Sequence, residues 1–213
     1  LFSDSTQWLF GVYTLSSSES LRRDYTYLAS SFHSDYDFDT AAAFFQLDSA
    51  LSERLTLETG LRVERRDTRY RDSQQLGFSP QETLWGGRAA AKYLLNPDTT
   101  AYASIARGYK AGGFNTDGTL DADLREFGEE FLIEYELGIK SKLLENRLHL
   151  KAAVFHDDRH EQQVKSSTGR IRDNGSTEFI DFIGNAAEGT NNGVEVEALW
   201  YPTEQLGITA SLG

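Results

Sequence analysis

Cysteine and methionine are both absent from the 213 residues, and proline occurs only three times. Without cysteine there is no disulfide framework, no thiolate metal site and no thiol nucleophile. Nowhere do eighteen or so apolar residues run together, so no membrane-spanning helix is encoded. Mean hydropathy is −0.49. Positive charge is also scarce. Lys and Arg number 21 against 33 Asp and Glu, a net charge of −12, and the pI is near 4.8. A general nucleic-acid binder needs a basic surface, so nucleic acid is not expected as a partner. The first residues, Leu1-Phe2-Ser3, show neither the basic nor the apolar part of a leader. The last, Leu212-Gly213, fall inside an alternating run, and we read the sequence as an internal piece of a longer protein.

What is present is a period of two. In Phe131–Phe155 the apolar residues Phe131, Ile133, Tyr135, Leu137 and Ile139 alternate with Glu134, Glu136, Gly138 and Lys140. After the polar turn Leu144-Glu145-Asn146-Arg147 the alternation resumes with Leu148, Leu150, Ala152 and Val154. Such a period marks strands with one apolar and one polar face, here joined as a hairpin. Each strand runs to about ten residues, longer than the usual globular five or six and suited to a tilted crossing of a bilayer. Barrel strands spend half their positions on a polar interior, so a polar overall composition does not exclude them.

The same build recurs along the chain. Gln7–Thr14 is a first strand, Ala41–Asp48 a second, and Leu55–Arg65 a third after the link Ser49–Arg54. Leu84–Leu95 and Thr99–Tyr109 flank the turn Asn96-Pro97-Asp98. Val194–Trp200 and Leu206–Leu212 flank Pro202–Gln205. Long polar stretches separate these hairpins: Ser16–Thr40, Arg66–Glu82, Lys110–Gly128 and His156–Asn191, the last with a short strand at Glu178–Ile183. About nine strands result, with connections alternating short and long. In an up-and-down sheet alternate connections share a rim, so short turns gather at one end and long loops at the other. That sorting is the pattern of an outer-membrane barrel. Trp85, Tyr93, Tyr102, Phe131, Trp200 and Tyr201 fall near strand ends, where interfacial aromatic girdles lie. Glu58, Arg62, Glu64, Arg88, Lys92, Glu134, Glu136, Lys140, Lys151, Glu195 and Glu197 share the polar face and suit a hydrated interior of mixed charge.

Chemical constellations are few. His156, Asp158 and His160 would share a face of a strand, but a metal site also needs convergence and supporting hydrogen bonds, so none is assigned. Asp35, Asp37 and Asp39 alternate in a polar segment that lacks the glycine and distal glutamate of a calcium loop. Gly108–Gly113, GYKAGG, is neither a phosphate loop nor a dinucleotide fingerprint, and Lys110 is placed near the outer rim. No Gly-Xaa-Ser-Xaa-Gly elbow occurs. We expect no catalytic, cofactor or metal residue, and leave the substrate-binding residues open.

Three pieces carry a resemblance. One is Ala101–Asn115 (AYASIARGYKAGGFN), followed by Phe127–Lys142 with Glu130, Tyr135-Glu136-Leu137-Gly138 and Lys140-Ser141. Another is Ala153–Val164. The third is Gly184-Asn185-Ala186 with Gly193-Val194-Glu195-Val196-Glu197. Their order and spacing resemble the barrel of TonB-dependent outer-membrane receptors. The resemblance covers most of the chain, most strongly residues 84–213. It implies an all-β, antiparallel up-and-down transmembrane barrel of about 22 strands closed around a plug. Residues 1–213 would supply a partial barrel domain of about nine strands, with no counterpart here of the plug or of the final strands. It also implies a Gram-negative outer-membrane location. The implied function is energised import of a scarce nutrient: a ferric siderophore, cobalamin, haem or a glycan, with the siderophore the commonest. Partners would be outer-membrane lipid, the small ligand, and the TonB complex acting through the plug. Specificity would lie in segments 16–40, 110–128 and 158–191. The competing reading is a soluble or surface β-rich module that binds carbohydrate through aromatic and acidic loops.

Overall fold

The computed structural model describes residues 6–25, 31–172, 175–185 and 188–213. In chain order the strands are β1 (Thr6–Arg23), β2 (Phe32–Ala50), β3 (Leu55–Asp72), the short β4 (Gly77–Phe78), β5 (Gln81–Asn96), β6 (Thr99–Lys110) and the short β7 (Gly113–Phe114). A turn of 3-10 helix, Ala122–Leu124, precedes the short β8 (Glu126–Phe127). Then come β9 (Glu130–Leu143), β10 (Leu148–His160), β11 (Gln163–Ile171), β12 (Thr177–Asn185), β13 (Glu188–Thr203) and β14 (Leu206–Leu212). Nine long strands pair in the order β1-β2-β3-β5-β6-β9-β10-β13-β14, each with its neighbour in the meander, and every ladder is antiparallel. The four short turns fall at one rim, as the spacing predicts.

The ladders fix which side chains share a face. Leu57, Ala91, Ala103, Leu137, Val154 and Val194 form one continuous row across six strands. One residue along, Glu58, Ala90, Ser104, Glu136, Phe155 and Gly193 form the next row, on the opposite face. The first face leaves large apolar groups bare, with Leu137 60% and Val194 56% exposed. On β3 that face is uncharged from Leu55 to Val63, apolar but for Thr59, and then turns to Arg65, Asp67, Arg69 and Arg71. Nine residues rise about 26 Å along the strand. Tilted by about 40°, they cover about 20 Å of height, near the ~25 Å apolar band of an outer-membrane barrel.

The band has aromatic borders. At the loop rim the Arg107 guanidinium lies 4.3 Å from the ring centres of both Trp85 and Phe131. Tyr93, Trp200 and Tyr201 lie at the short-turn ends of β5 and β13. Tyr102 departs from the girdle expectation. Its register with Lys92 and Gly138 places it on the inner face, with the Lys140 ammonium 5.0 Å over its ring. Gly138 is required there, because a Cβ would overlap the Tyr102 ring, and Gly193 lies under Phe155 in the same way. The inner face thus places aromatic rings over cross-strand glycines, which fixes register where side chains would otherwise be free to slide.

The inner charges pair laterally. Glu58 meets Lys92 and Arg88, Arg62 meets Glu64 at 2.7 Å, and Lys151 meets Glu197 at 3.0 Å. The Tyr109 phenol donates to Glu64 and accepts from Arg62, both at 3.0 Å. All eleven residues assigned to the polar face lie on it.

Three of the long polar stretches are shorter as loops than expected. β1 and β2 continue through Ser16–Arg23 and Phe32–Thr40, β3 runs on to Asp72, and β10 runs to His160. Beyond the lipid band both faces are wet, so these strands lose the period-two apolar signal while keeping their ladders. Asp35 and Asp37 consequently lie in a strand opposite Arg71 and Arg69, not in a calcium-type loop. The expected strand at Glu178–Ile183 is present inside β12, which pairs with β11 as a separate hairpin.

Leu137→Arg should cost about 2–4 kcal/mol in folding of the full-length protein into lipid vesicles, measured by denaturant titration. Lys151→Ala, on the inner face, should cost less than about 1 kcal/mol. Equal costs would remove the assignment of faces.

Candidate ligand-facing rim

While the wall buries small side chains such as Ala42 and Ala90, the large buried ones lie at the loop rim. Phe32, Tyr70, Leu84, Leu120, Arg125 and Ile180 are nearly or fully buried there. They are gathered by the segment between β6 and β9, which folds back over the inner face of β2 and β3. Gly112 starts this fold by donating its amide to Glu82 at 3.0 Å. Phe114 then stacks on Tyr70 at 4.7 Å and packs against Tyr36 and Phe78.

Two charged side chains pin the segment. Arg125 is fully buried. Its guanidinium donates to Asp72 and Gln74, each at 2.6 Å, and to the Leu120 carbonyl at 3.2 Å, with the Phe32 ring 5.2 Å away. A buried cation is tolerable because its donors are met in this fork arrangement. Burial pushes the neighbouring Tyr70 phenol up to about 12, and the Asp72 charge adds to it. The second pin is Asp117, which accepts from Arg23 and Tyr25 at 2.8 Å and from the Thr119 hydroxyl and amide at 2.6 and 2.9 Å. Burial alone would raise the Asp117 carboxyl. The Thr119 and Tyr25 hydrogen bonds and the Arg23 charge outweigh it, so its pKa lies below the ordinary 3.8.

The β11–β12 hairpin leans on this cap. Asn115 exchanges two hydrogen bonds with the Ile183 backbone, at 2.7 and 2.8 Å. The Gln163 amide donates to the Ala111 and Gly128 carbonyls at 2.9 Å, and Arg170 to the Thr119 carbonyl at 3.2 Å. A recess of about 400 Å³ remains beside the cap, lined by Glu19, Leu21, Ser34, Tyr36, Phe114 and Thr116 among others. It offers a carboxylate, hydroxyls and two aromatic faces toward the lumen, a set suited to holding a small polar ligand by contact and hydrogen bond.

Lys110 ends β6 at this rim, as the sequence places it. His156, Asp158 and His160 do share a face, but it is the outer one. There His156 bonds to Asn192 and Asp158, and His160 stacks on Phe131. Among the described residues no group of His, Asp and Glu converges as metal ligands. On the inner wall Glu134, Asp157 and Glu195 make no ion pair among the described residues, and the buried Asp157 Oδ1 has no hydrogen-bond partner. Arg125, Asp117 and Phe114 were not legible as site residues. They stand singly in a polar segment, and only the Gly112-Gly113 pair before them hinted at a tight fold.

A sheet with an apolar outer band, a charged inner wall and a structured loop rim defines a segment of outer-membrane β-barrel wall. The family described as TonB dependent receptor-like, beta-barrel, matches residues 2–213, and the chain belongs to it. The pesticin receptor of Yersinia pestis is 28% identical over 203 residues, covering 90% of this chain and 28% of that protein. The chain therefore spans less than a third of the length of the curated relatives it matches. The solved ferric yersiniabactin uptake receptor FyuA from Yersinia pestis superposes with a TM-score of 0.75 at 25% identity, over 95% of this chain and 31% of that one. The copper transporter OprC, at 16% identity and TM-score 0.72 over 99% of this chain and 35% of that one, shares the fold. Relatives of this kind are transport receptors of the Gram-negative outer membrane, and this chain is barrel wall from that location.

Arg125→Ala leaves Asp72 buried without its cation, a change of about 3–5 kcal/mol. Proteolysis within residues 111–129 of the full-length protein should accelerate while the wall stays folded, and an unchanged cleavage rate would refute the pin. The Asp117 contribution is present in full above about pH 3.8. It is lost as pH falls through the lowered folded value, because a depressed carboxyl pKa stabilises only the ionised state. Cap protection should therefore be flat from pH 7 to 5 and decline below about pH 4. Asp117→Asn should blunt that decline.

Proposed function

We propose that this wall belongs to an active-transport receptor that binds a ferric siderophore at the loop rim and imports it with energy from the TonB system. The observation that carries the reading is the recess beside the pinned cap. It opens on the lumen side of an outer-membrane barrel wall, where an incoming ligand must pass. A similar solved protein carries a name in keeping with it, a ferric yersiniabactin uptake receptor, and a similar curated one is named as a receptor. Binding here would be non-covalent. Tyr36 and Phe114 supply aromatic surface, and Glu19 with the nearby hydroxyls supplies hydrogen-bonding partners. The protein does no covalent chemistry in this reading.

The unpaired carboxylates Glu134, Asp157 and Glu195 fit a second element of the reading. A buried or confined charge without a partner is costly, so this part of the wall suits a cationic surface of a plug within the lumen. Energy coupling would act through that plug. A soluble carbohydrate-binding module fits less well, since it would not leave a 20 Å apolar band bare between aromatic borders.

Deleting the full-length gene should abolish growth on the cognate ferric siderophore under iron limitation, and the intact gene should restore it. Glu19→Gln combined with Tyr36→Leu should lower uptake of radiolabelled ferric siderophore about tenfold at unchanged receptor abundance. Normal uptake by the double variant would move the binding site elsewhere, and growth without the gene would end the reading.

A further inference from the structure

The outer face carries a groove that the transport reading does not use. Its volume is about 660 Å³, and its surface is almost wholly apolar. Ala89, Ala91 and Ala103 form the floor, with Leu57 at one end and Tyr135 and His156 toward the other. The groove crosses β3, β5, β6, β9 and β10 along two register rows.

Those rows climb. Leu57 is the third residue of β3 above the short-turn rim, while His156 is the ninth of β10. The difference of six residues is about 20 Å along a strand. At a tilt of about 40° it is about 15 Å of depth, half of a ~30 Å hydrocarbon core. The groove thus descends about one leaflet from its upper end.

The upper end is where the apolar band stops. Below His156 the outward residues of β10 are Leu148, Leu150, Ala152 and Val154. From His156 they are polar. Arg107 stands at the same height, as the ninth residue of β6, and faces outward one row above the groove, aligned across β9 with Ile133 and Asp158, whose carboxylate is engaged by His156. It is oriented by Trp85, whose carbonyl it binds, and by Phe131. A guanidinium held at headgroup depth above an apolar groove matches an anion joined to a hydrocarbon chain.

We propose that the groove is an ordered lipid site: one acyl chain of a phosphate-bearing outer-leaflet lipid lies over Ala89, Ala91 and Ala103, with its phosphate at Arg107. The depth match and the position of the cation favour a lipid over a second copy of the chain. A protein ridge would need no charge at the groove's upper end.

The test uses the full-length receptor in mixed phosphatidylcholine–phosphatidylglycerol nanodiscs, with a photoreactive diazirine in the acyl chain of one lipid at a time. Labelling should concentrate on residues 89–105, exceed that at Val196 and fall about tenfold in Ala103→Phe. Arg107→Gln should reduce labelling by both probes, and more for phosphatidylglycerol than for phosphatidylcholine, whose choline partly neutralises its phosphate; unchanged labelling by both would remove the phosphate contact. Heat-modifiable migration on gels reports insertion, and Ala91→Leu gives the same readout should Ala103→Phe fail to insert. Even labelling around the band, or indifference to both alanine variants, overturns the site. Receptor–receptor cross-links through Ala103 would overturn it in favour of a second copy. Siderophore uptake is a separate measurement, so either proposal can fail without the other.

Discussion

Backbone amides cannot be left unpaired in hydrocarbon. That constraint organises the whole wall. Each central strand spends its donors and acceptors on two neighbours, so the chain must return beside itself at every crossing. Antiparallel pairing lets it return through turns of a few residues, and four such turns lie at one rim. Once the ladder is fixed, alternate side chains are committed to opposite solvents. Leucine, valine and alanine face lipid in rows, and glutamate, lysine and arginine face water in the rows between. A one-residue slip would exchange the two sets, so sequence and register specify each other.

The loop rim obeys a different constraint. Above the band water is available on both faces, and hydrophobic rows no longer hold the strands in place. Stability there comes from a small local core. Tyr70, Leu84 and Leu120 are removed from water, and Arg125 is locked between Asp72 and Gln74. The wall has few buried side chains of its own because its two solvents lie outside it. Its packing partner is lipid on one side and the lumen contents on the other. The rim, by contrast, buries residues from β2, β3 and the 111–129 segment against one another. Order at the rim is therefore intrinsic to these residues, while order in the wall depends on the membrane.

This division also decides what was legible in the sequence. Where one face meets lipid, apolar residues recur every second position, and Leu55–Arg65 or Phe131–Phe155 can be read directly. The faces of all eleven charged inner residues follow from parity alone. Tyr102 was misplaced because an aromatic near a strand end suits a girdle, and only its register with Gly138 reveals the inward position. Where both faces meet water, as in Ser16–Arg23 or Arg66–Asp72, the ladder persists but the pattern does not, and strand reads as loop. The cap is harder still. Arg125 pairs with Asp72 across 53 residues, and no periodicity connects two single charges so far apart. The recess beside the cap inherits that opacity, since its lining comes from β1, β2 and the folded-back segment together.

The inner wall shows how far pairing within the sheet can go. Glu58, Arg62, Glu64 and Lys92 are neutralised by neighbours on their own or the next strand, which keeps β3 and β5 balanced. On β9, β10 and β13 the balance fails. Lys151 takes Glu197 and Arg159 takes Glu130, and among the described residues Glu134, Asp157 and Glu195 make no ion pair, while Glu136 has the Tyr102 phenol and no cation. Lateral pairing can satisfy a charge only where register places its opposite within reach, and Glu134, Asp157 and Glu195 face Ala106, Asn191 and Ala153, while Glu134 and Asp157 also face each other across β9 and β10. Their compensation has to come from outside the sheet plane. On the lumen side this is water or whatever fills the barrel, and the burial of Asp157 disfavours water alone. The wall is thus chemically complete toward lipid and incomplete toward its interior, in keeping with a barrel built around a second body.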